Sequence, residues 1–377
     1  MNTFRRIQAL RSHMARYELD ACLLSSPENI QYMSGFQAIT YSRPIFFLVN
    51  HTSACLIIPA LEEEHADLTS TGVEQLRVYY EHPEKVSVAG SPLDHLKQLL
   101  SRGTRLGVEF SAITLRMADT LRALGCQLSD LSDTLKSMRY VKDSQELDCI
   151  REGGRLCRYA FEKTLEHARA GVSEMELEQY GTQALYELLG DDYPYSFSSP
   201  SCITPSGVER TIMPHVYSSC RRLARGDMVI HVRKPAINGY YAELERTFFI
   251  GRPADPAKRA FCAMVEAQLA VFERVRPGVP AADLDRAGRD VLRKYGYGDY
   301  AIHRIGHGQG LGRHEEPYLS CQTDMVLQEN MVFTVEPGIY IPGVGGFRHS
   351  DTIIVTKTGF ENVTAFPRTL DELTFDR

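Results

Sequence analysis

Two stretches of this chain repeat one another, "AGVSEMELEQYGTQALYELLG" at 170–190 and "PGVPAADLDRAGRDVLRKYG" at 277–296. Gly171 matches Gly278, Leu177 matches Leu284, Gly181 matches Gly288 and Leu185 matches Leu292, at a constant offset of 107 residues. In each copy a turn glycine leads into an N-capped amphipathic helix, and Ser173 with Glu176 has the spacing of a capping box. Strand-like segments rich in His, Glu and Gly follow each helix. Such a repeat predicts a duplicated αβ half that encloses a site between two related sheets.

The length of 377 residues points to two domains. Before residue 138, short apolar runs ("ACLLSS", "PIFFLV", "SACLIIP", "RLGVEF") alternate with amphipathic stretches ("LEEEHADL", "SPLDHLKQLL", "TLRMADTLRAL"), the pattern of an α/β layer domain. A charged joint and a long helix follow, with Leu147, Ile150, Cys157, Phe161 and Leu165 at helical steps or their multiples. The expected domains are 1–137 and 138–377. The first segment, with Phe4, Ile7, Leu10 and Met14 at helical intervals among arginines, reads as a helix and not as a signal peptide. A net charge of −6 with scattered arginines argues against a nucleic-acid partner. No apolar run reaches the length of a membrane span. Nine scattered cysteines without a CxxC pair suit reduced thiols in a cytoplasm.

The chemistry-bearing candidates fall in the repeated part. In "GYYAELERT" (239–247), aromatic and β-branched neighbours favour an extended chain, so Glu243 and Glu245 share a face. On a solvated edge that is ordinary. In a pocket, two such carboxylates make either a metal site or a cradle for a cationic group. His215 lies in "TIMPH", Glu336 in "VFTVEPGIYIP", and His303, His307 and His314 are spaced by four and seven in a glycine-rich stretch. Glycine there permits close backbone approach to a ligand.

With "GHGQGLGRHEEP" and "VFTVEPGIYIP" on one chain, the sequence resembles the pita-bread family over its whole length. That family, peptidase family M24, includes methionine and Xaa-Pro aminopeptidases, prolidases and creatinase. The resemblance implies an α/β (α+β) protein: a creatinase-type N-terminal α/β domain, then a C-terminal pita-bread domain with a pseudo-two-fold duplication. Peptidases of the family hold two metal ions with Asp, Asp, His, Glu and Glu. By resemblance these positions fall on Val232, Glu243, His307, Glu336 and Ser350, which leaves Glu243, His307 and Glu336 as remnant ligands. Valine supplies no ligand oxygen.

The segment "GYYAELERT" is similar to "GYY..LERT" of creatinase. That likeness implies a metal-independent hydrolase, without cofactor, that cleaves a non-peptide C–N bond in a small guanidino or amidino acid. It implies His215 as proton shuttle and Glu245 and Glu336 as the carboxylates gripping the cationic head. Arg43, Tyr240, His307, His314 and Tyr318 complete the implied substrate-binding set, Arg43 meeting a substrate carboxylate within a cytoplasmic homodimer. His303, His231 and His349 are left without an assigned role. The rival readings are a metal-dependent Xaa-Pro aminopeptidase or dipeptidase and a non-catalytic pita-bread binding protein.

Overall fold

In the computed structural model, residues 2–376 are described apart from 40, 41, 83, 86, 191, 192, 198 and 199. The chain divides into two compact units, Met1–Arg139 and Tyr140–Arg377.

The N-terminal unit carries a six-stranded mixed sheet. Four of its strands, Ala21–Leu24, Phe46–Asn50, Ala54–Pro59 and Arg105–Val108, are the apolar runs seen in the sequence. The outer two, Gln75–Tyr79 and Gln127–Asp130, are edge strands paired on one side only. Their polar residues conceal them in the sequence, because an edge needs little burial. The first helix, Thr3–Arg16, buries Ile7, Leu10 and Met14 as its spacing predicts. Phe4, however, is 68% exposed. Arg6 lies on the buried face instead, where it donates to the Tyr32 carbonyl at 2.9 Å and stacks over the Tyr32 ring.

In the C-terminal unit, helices α1 (Ser144–Leu165) and α2 (Glu174–Leu189) form one pair, and α3 (Asp255–Phe272) and α4 (Ala281–Lys294) form another. The expected capping box opens α2: Ser173 Oγ accepts from the Glu176 N–H at 3.2 Å, and the Glu176 carboxylate accepts from the Ser173 N–H at 2.8 Å. The second copy differs, because Pro280 stands at its N-cap without a side-chain cap.

The main run of strands in this unit is β1 (Cys202–Ile203), β2 (Met228–Arg233), β3 (Leu244–Ile250), β4 (Gly306–Gly308), β5 (Glu315–Leu319), β6 (Val332–Val335) and β7 (Ser350–Val355). They run in the order β5-β4-β6-β7-β3-β2-β1 within a single nine-stranded sheet. About the antiparallel pair β3–β7, the set β1-β2-β3 mirrors β4-β6-β7, so the repeat seen in the sequence shows as a pseudo-two-fold. The two halves share one continuous sheet, where the repeat had suggested two. The reason is that β3 and β7 each have a bare edge after their own half is paired, and joining them satisfies both rows of backbone groups. Apolar side chains such as Phe161, Leu177, Phe248, Phe249, Phe261 and Met264 pack the helices against this sheet. Among the described residues, no helix is long and apolar enough to cross a membrane.

The matched glycines Gly181 and Gly288 are not equivalent. A Cβ at Gly181 would fall 2.4 Å from the Ala160 carbonyl oxygen, 2.3 Å from Thr164 Oγ1 and 2.4 Å from Arg233 Nη2. At Gly288 the nearest atoms are side-chain carbons of Val271 and Ile305 at 3.1 and 3.2 Å. Gly181→Ala is therefore expected to destabilise by about 1–3 kcal/mol through overpacking, even though alanine is the better helix former by roughly 1 kcal/mol. Gly288→Ala should stay within about 1 kcal/mol of the parent. Urea unfolding of both variants checks this, and equal midpoints would refute it.

Candidate active site

Across the middle of the sheet, Val232 of β2 and Ser350 of β7 both stand opposite Glu245 of β3. A cleft of about 510 Å³ opens over this row. Lys234 and Glu243, two residues from Val232 and Glu245, share the row's face, and Arg348, at the end of a separate hairpin (Gly338–Ile341 with Gly345–Arg348), also lines the cleft. From the second half come His307 on β4 and Glu336 just beyond β6, and from the loop after residue 211 comes His215.

Glu243 is buried and already fully engaged. It forms an ion pair with Lys234 and accepts from Gln309 Nε2 and Ser350 Oγ, both at 3.1 Å. Burial alone would raise its pKa, but the Lys234 ammonium with His307 nearby outweighs burial and holds the carboxyl below the usual range. Glu245 makes a two-pronged ion pair with Arg348, whose Nη2 donates to Oε1 at 3.0 Å while Nε donates to Oε2. Burial and the neighbouring Glu243 charge push Glu245 upward against the pull of Arg348. Glu336, which has no such cation of its own, is pushed well up by burial and then by Glu243 and Glu245.

His307 is 2% exposed, and its Nδ1–H donates to the Gly308 carbonyl at 3.0 Å. That bond leaves Nε2 as the bare nitrogen. It has no hydrogen-bond partner and lies 3.6 Å from Glu336 Oε1. Ligand atoms of Glu243, His307 and Glu336 all lie within 4.8 Å of one another. His314 packs edge-on against His307, with ring centroids 4.1 Å apart. Desolvation lowers the pKa of His307 to about 3 and that of His314 to about 4. His215 is also lowered, by burial and then by Arg348 and Lys234, so it is neutral near pH 7.

The structure thus brings His215, Glu243, Glu245, His307, His314 and Glu336 to one cleft. The other expected residues have partners of their own within the chain. Arg43 belongs to the N-terminal unit and is held two-pronged by Glu81, at 2.7 and 2.9 Å. Tyr240 is buried and donates its hydroxyl to Glu146 at 2.9 Å, near the start of α1, away from the cleft lining. Tyr318 is opposite His307 in the β4–β5 pairing, and its ring carries the guanidinium of Arg304, a cleft-lining residue, at 4.0 Å. His303 joins the wall: Tyr340 Oη, which accepts from Arg348 at 3.0 Å, donates to His303 Nε2 at 2.9 Å.

Two histidines face away from the cleft. His231 accepts from Arg233 Nε at 3.0 Å, which leaves its Nδ1–H for Thr204 Oγ1 at 2.8 Å. His349 is buried edge-on against Phe261. Lys234 and Arg348 went unnoticed in the sequence, although alternation from Val232 places Lys234 on the cleft face; Arg348 comes from a separate hairpin.

These ion pairs weaken the physical ground for a cationic substrate. Of the two carboxylates expected to grip its head, Glu245 is already paired with Arg348, while Glu336 has no such cation of its own. The family's metals can be tested on the same residues. One divalent ion fits Glu243, His307 and Glu336, because His307 presents a bare, buried nitrogen toward two carboxylates. A second does not fit, since Val232 and Ser350 bring no anionic oxygen to the row.

Comparison with known proteins overturns the expected function. The chain is 29% identical to the Xaa-Pro dipeptidase of Pyrococcus furiosus, over 97% of this chain and 99% of that one. It is 31% identical to a putative dipeptidase of Bacillus subtilis, at 97% and 99% coverage. The crystal structure of the prolidase from Pyrococcus horikoshii superposes with a TM-score of 0.85 at 29% identity, covering 97% of this chain and 99% of that one. A metal-independent, creatinase-like amidinohydrolase acting on a non-peptide C–N bond is therefore set aside. Residues 6–141 match the creatinase/prolidase N-terminal domain and residues 148–357 match metallopeptidase family M24. With the two matched regions spanning the described sheet, helices and cleft, the chain belongs to metallopeptidase family M24.

Proposed function

We propose that this chain is a dipeptidase of the Xaa-Pro class that works with one divalent ion where its relatives' family uses two. The observation that carries the reading is the buried, unbonded Nε2 of His307 directed at Glu336, with Glu243 beside them. His307, Glu243 and Glu336 would hold the ion, and the Gly308 carbonyl keeps the His307 ring in the ligating tautomer. When bound, the ion supplies Lewis acidity toward a peptide carbonyl. His215, neutral and in the cleft wall, would exchange protons with the attacking water and the leaving nitrogen. Arg304, exposed at the cleft and braced on Tyr318, would meet the dipeptide carboxylate.

A second reading, a dipeptide-binding protein without turnover, is favoured by the Lys234–Glu243 ion pair, which engages a ligand carboxylate. Proline release from Xaa-Pro dipeptides, assayed with manganese or zinc and with EDTA, tests the proposal. Metal-dependent release that EDTA stops is the expected result. A melting temperature raised by dipeptide without any release would support the second reading, since a ligand at a hundred times its Kd adds about 2.7 kcal/mol. Neither release nor a shift would refute both.

A further inference from the structure

Glu243 is the most thoroughly occupied carboxylate in the cleft, and one of its partners is a full charge. Lys234 follows directly on β2, its backbone N–H donating to the Ser201 carbonyl at 2.9 Å. Its side chain is 9% exposed and that of Glu243 is 3% exposed, so the pair is almost dry. Gln309 and Ser350 also donate to Glu243, and both are neutral. A divalent ion taking an oxygen of Glu243 must therefore displace, or stand beside, an ammonium with which it repels. The geometry around it agrees. Val232 and Ser350 flank Glu245, whose carboxylate is committed to Arg348, so no further anion is available to balance a second ion.

We infer that Lys234 is a built-in monovalent cation that competes with the single divalent ion at Glu243 and weakens its binding. The inference rests on the one-ion reading above for its site, but it concerns occupancy and not turnover. Lys234 supplies one positive charge where an ion would supply two. It does so covalently, at a fixed place, and independently of metal supply.

Calorimetric titration of EDTA-stripped protein with zinc or manganese tests this without reference to activity. The parent chain is expected to take up one ion. Lys234→Met should bind one ion at least ten-fold more tightly, and Lys234→Arg, which keeps the charge, should bind like the parent. Adding Val232→Asp and Ser350→Glu to Lys234→Met should raise the stoichiometry to two. Thermal melts of each variant establish that it is folded, and Lys234→Gln, which removes the charge but keeps a polar side chain, serves if Lys234→Met does not fold: it must then bind the ion more tightly than the parent.

Three outcomes overturn the inference: two ions on the parent chain, an unchanged Kd in folded Lys234→Met, or tighter binding in Lys234→Arg. No uptake by the parent with uptake by Lys234→Met would support competition by Lys234 while overturning the one-ion peptidase reading. Equal Kd values with intact metal-dependent proline release would do the reverse.

Discussion

Replacing Arg246 with leucine is expected to cost the C-terminal unit about 3–5 kcal/mol, the range for breaking a buried ion pair by removing one partner. Arg246 is fully buried on the face of the sheet opposite the cleft. Its Nη2 donates to Asp351 Oδ1 at 2.8 Å, and its Nε and Nη1 donate to the carbonyls of Pro367 and Ser350 at 2.8 and 3.0 Å. Leucine fills part of the volume but leaves those acceptors and a buried carboxylate without their donor. Gln268 and Asn362 still reach Asp351, at 2.8 and 3.2 Å, but both are neutral. The remaining cation, Arg368, lies 3.8 Å away. Denaturant unfolding followed by a probe in this unit measures the loss. A change below about 1 kcal/mol would mean that Arg368 takes over the charge, which requires it to close that gap. Replacing Asp351 as well should recover part of the loss, because the stranded carboxylate is then gone.

The second large effect concerns chemistry and rests on the proposed dipeptidase reading. His215→Ala should lower kcat by about 10²–10⁴ while KM changes little, the signature of proton-transfer help that acts in the transition state. His215 is suited to that task because burial, Arg348 and Lys234 all hold the imidazole neutral. Single-turnover kinetics separates the chemical step from product release. A kcat within a few-fold of the parent would remove His215 from the reaction. A KM raised in proportion to the loss would reassign it to substrate binding.

Much of the architecture is legible in the residues themselves. Offsets of 107 between glycines and leucines announce the duplication, because two copies of one helix and its strands must solve the same packing problem twice. Period-two alternation around "AELER" puts Glu243 and Glu245 on one face, and the structure has both lining the cleft. Alternation from Val232 would have shown Lys234 there too, whereas Arg348 comes from a separate hairpin. Hydrophobic spacing gives the helical face of Ile7, Leu10 and Met14 but misjudges Phe4, since at a helix start an apolar residue can point past the end of the core.

Partnership is what the sequence leaves open. A carboxylate two residues from another is a potential metal ligand, a substrate grip or half of an ion pair, and its composition is the same in each case. Lys234 reaches Glu243 from a strand nine residues away in sequence, and Arg348 reaches Glu245 across more than a hundred residues. Arg43, which a family likeness assigned to a substrate, pairs in this chain with the exposed Glu81. Local pattern determines which face a side chain occupies, because backbone geometry repeats every two or 3.6 residues. Which charge lies opposite depends on how distant strands register, and only the folded sheet, where the halves join at β3 and β7, decides that.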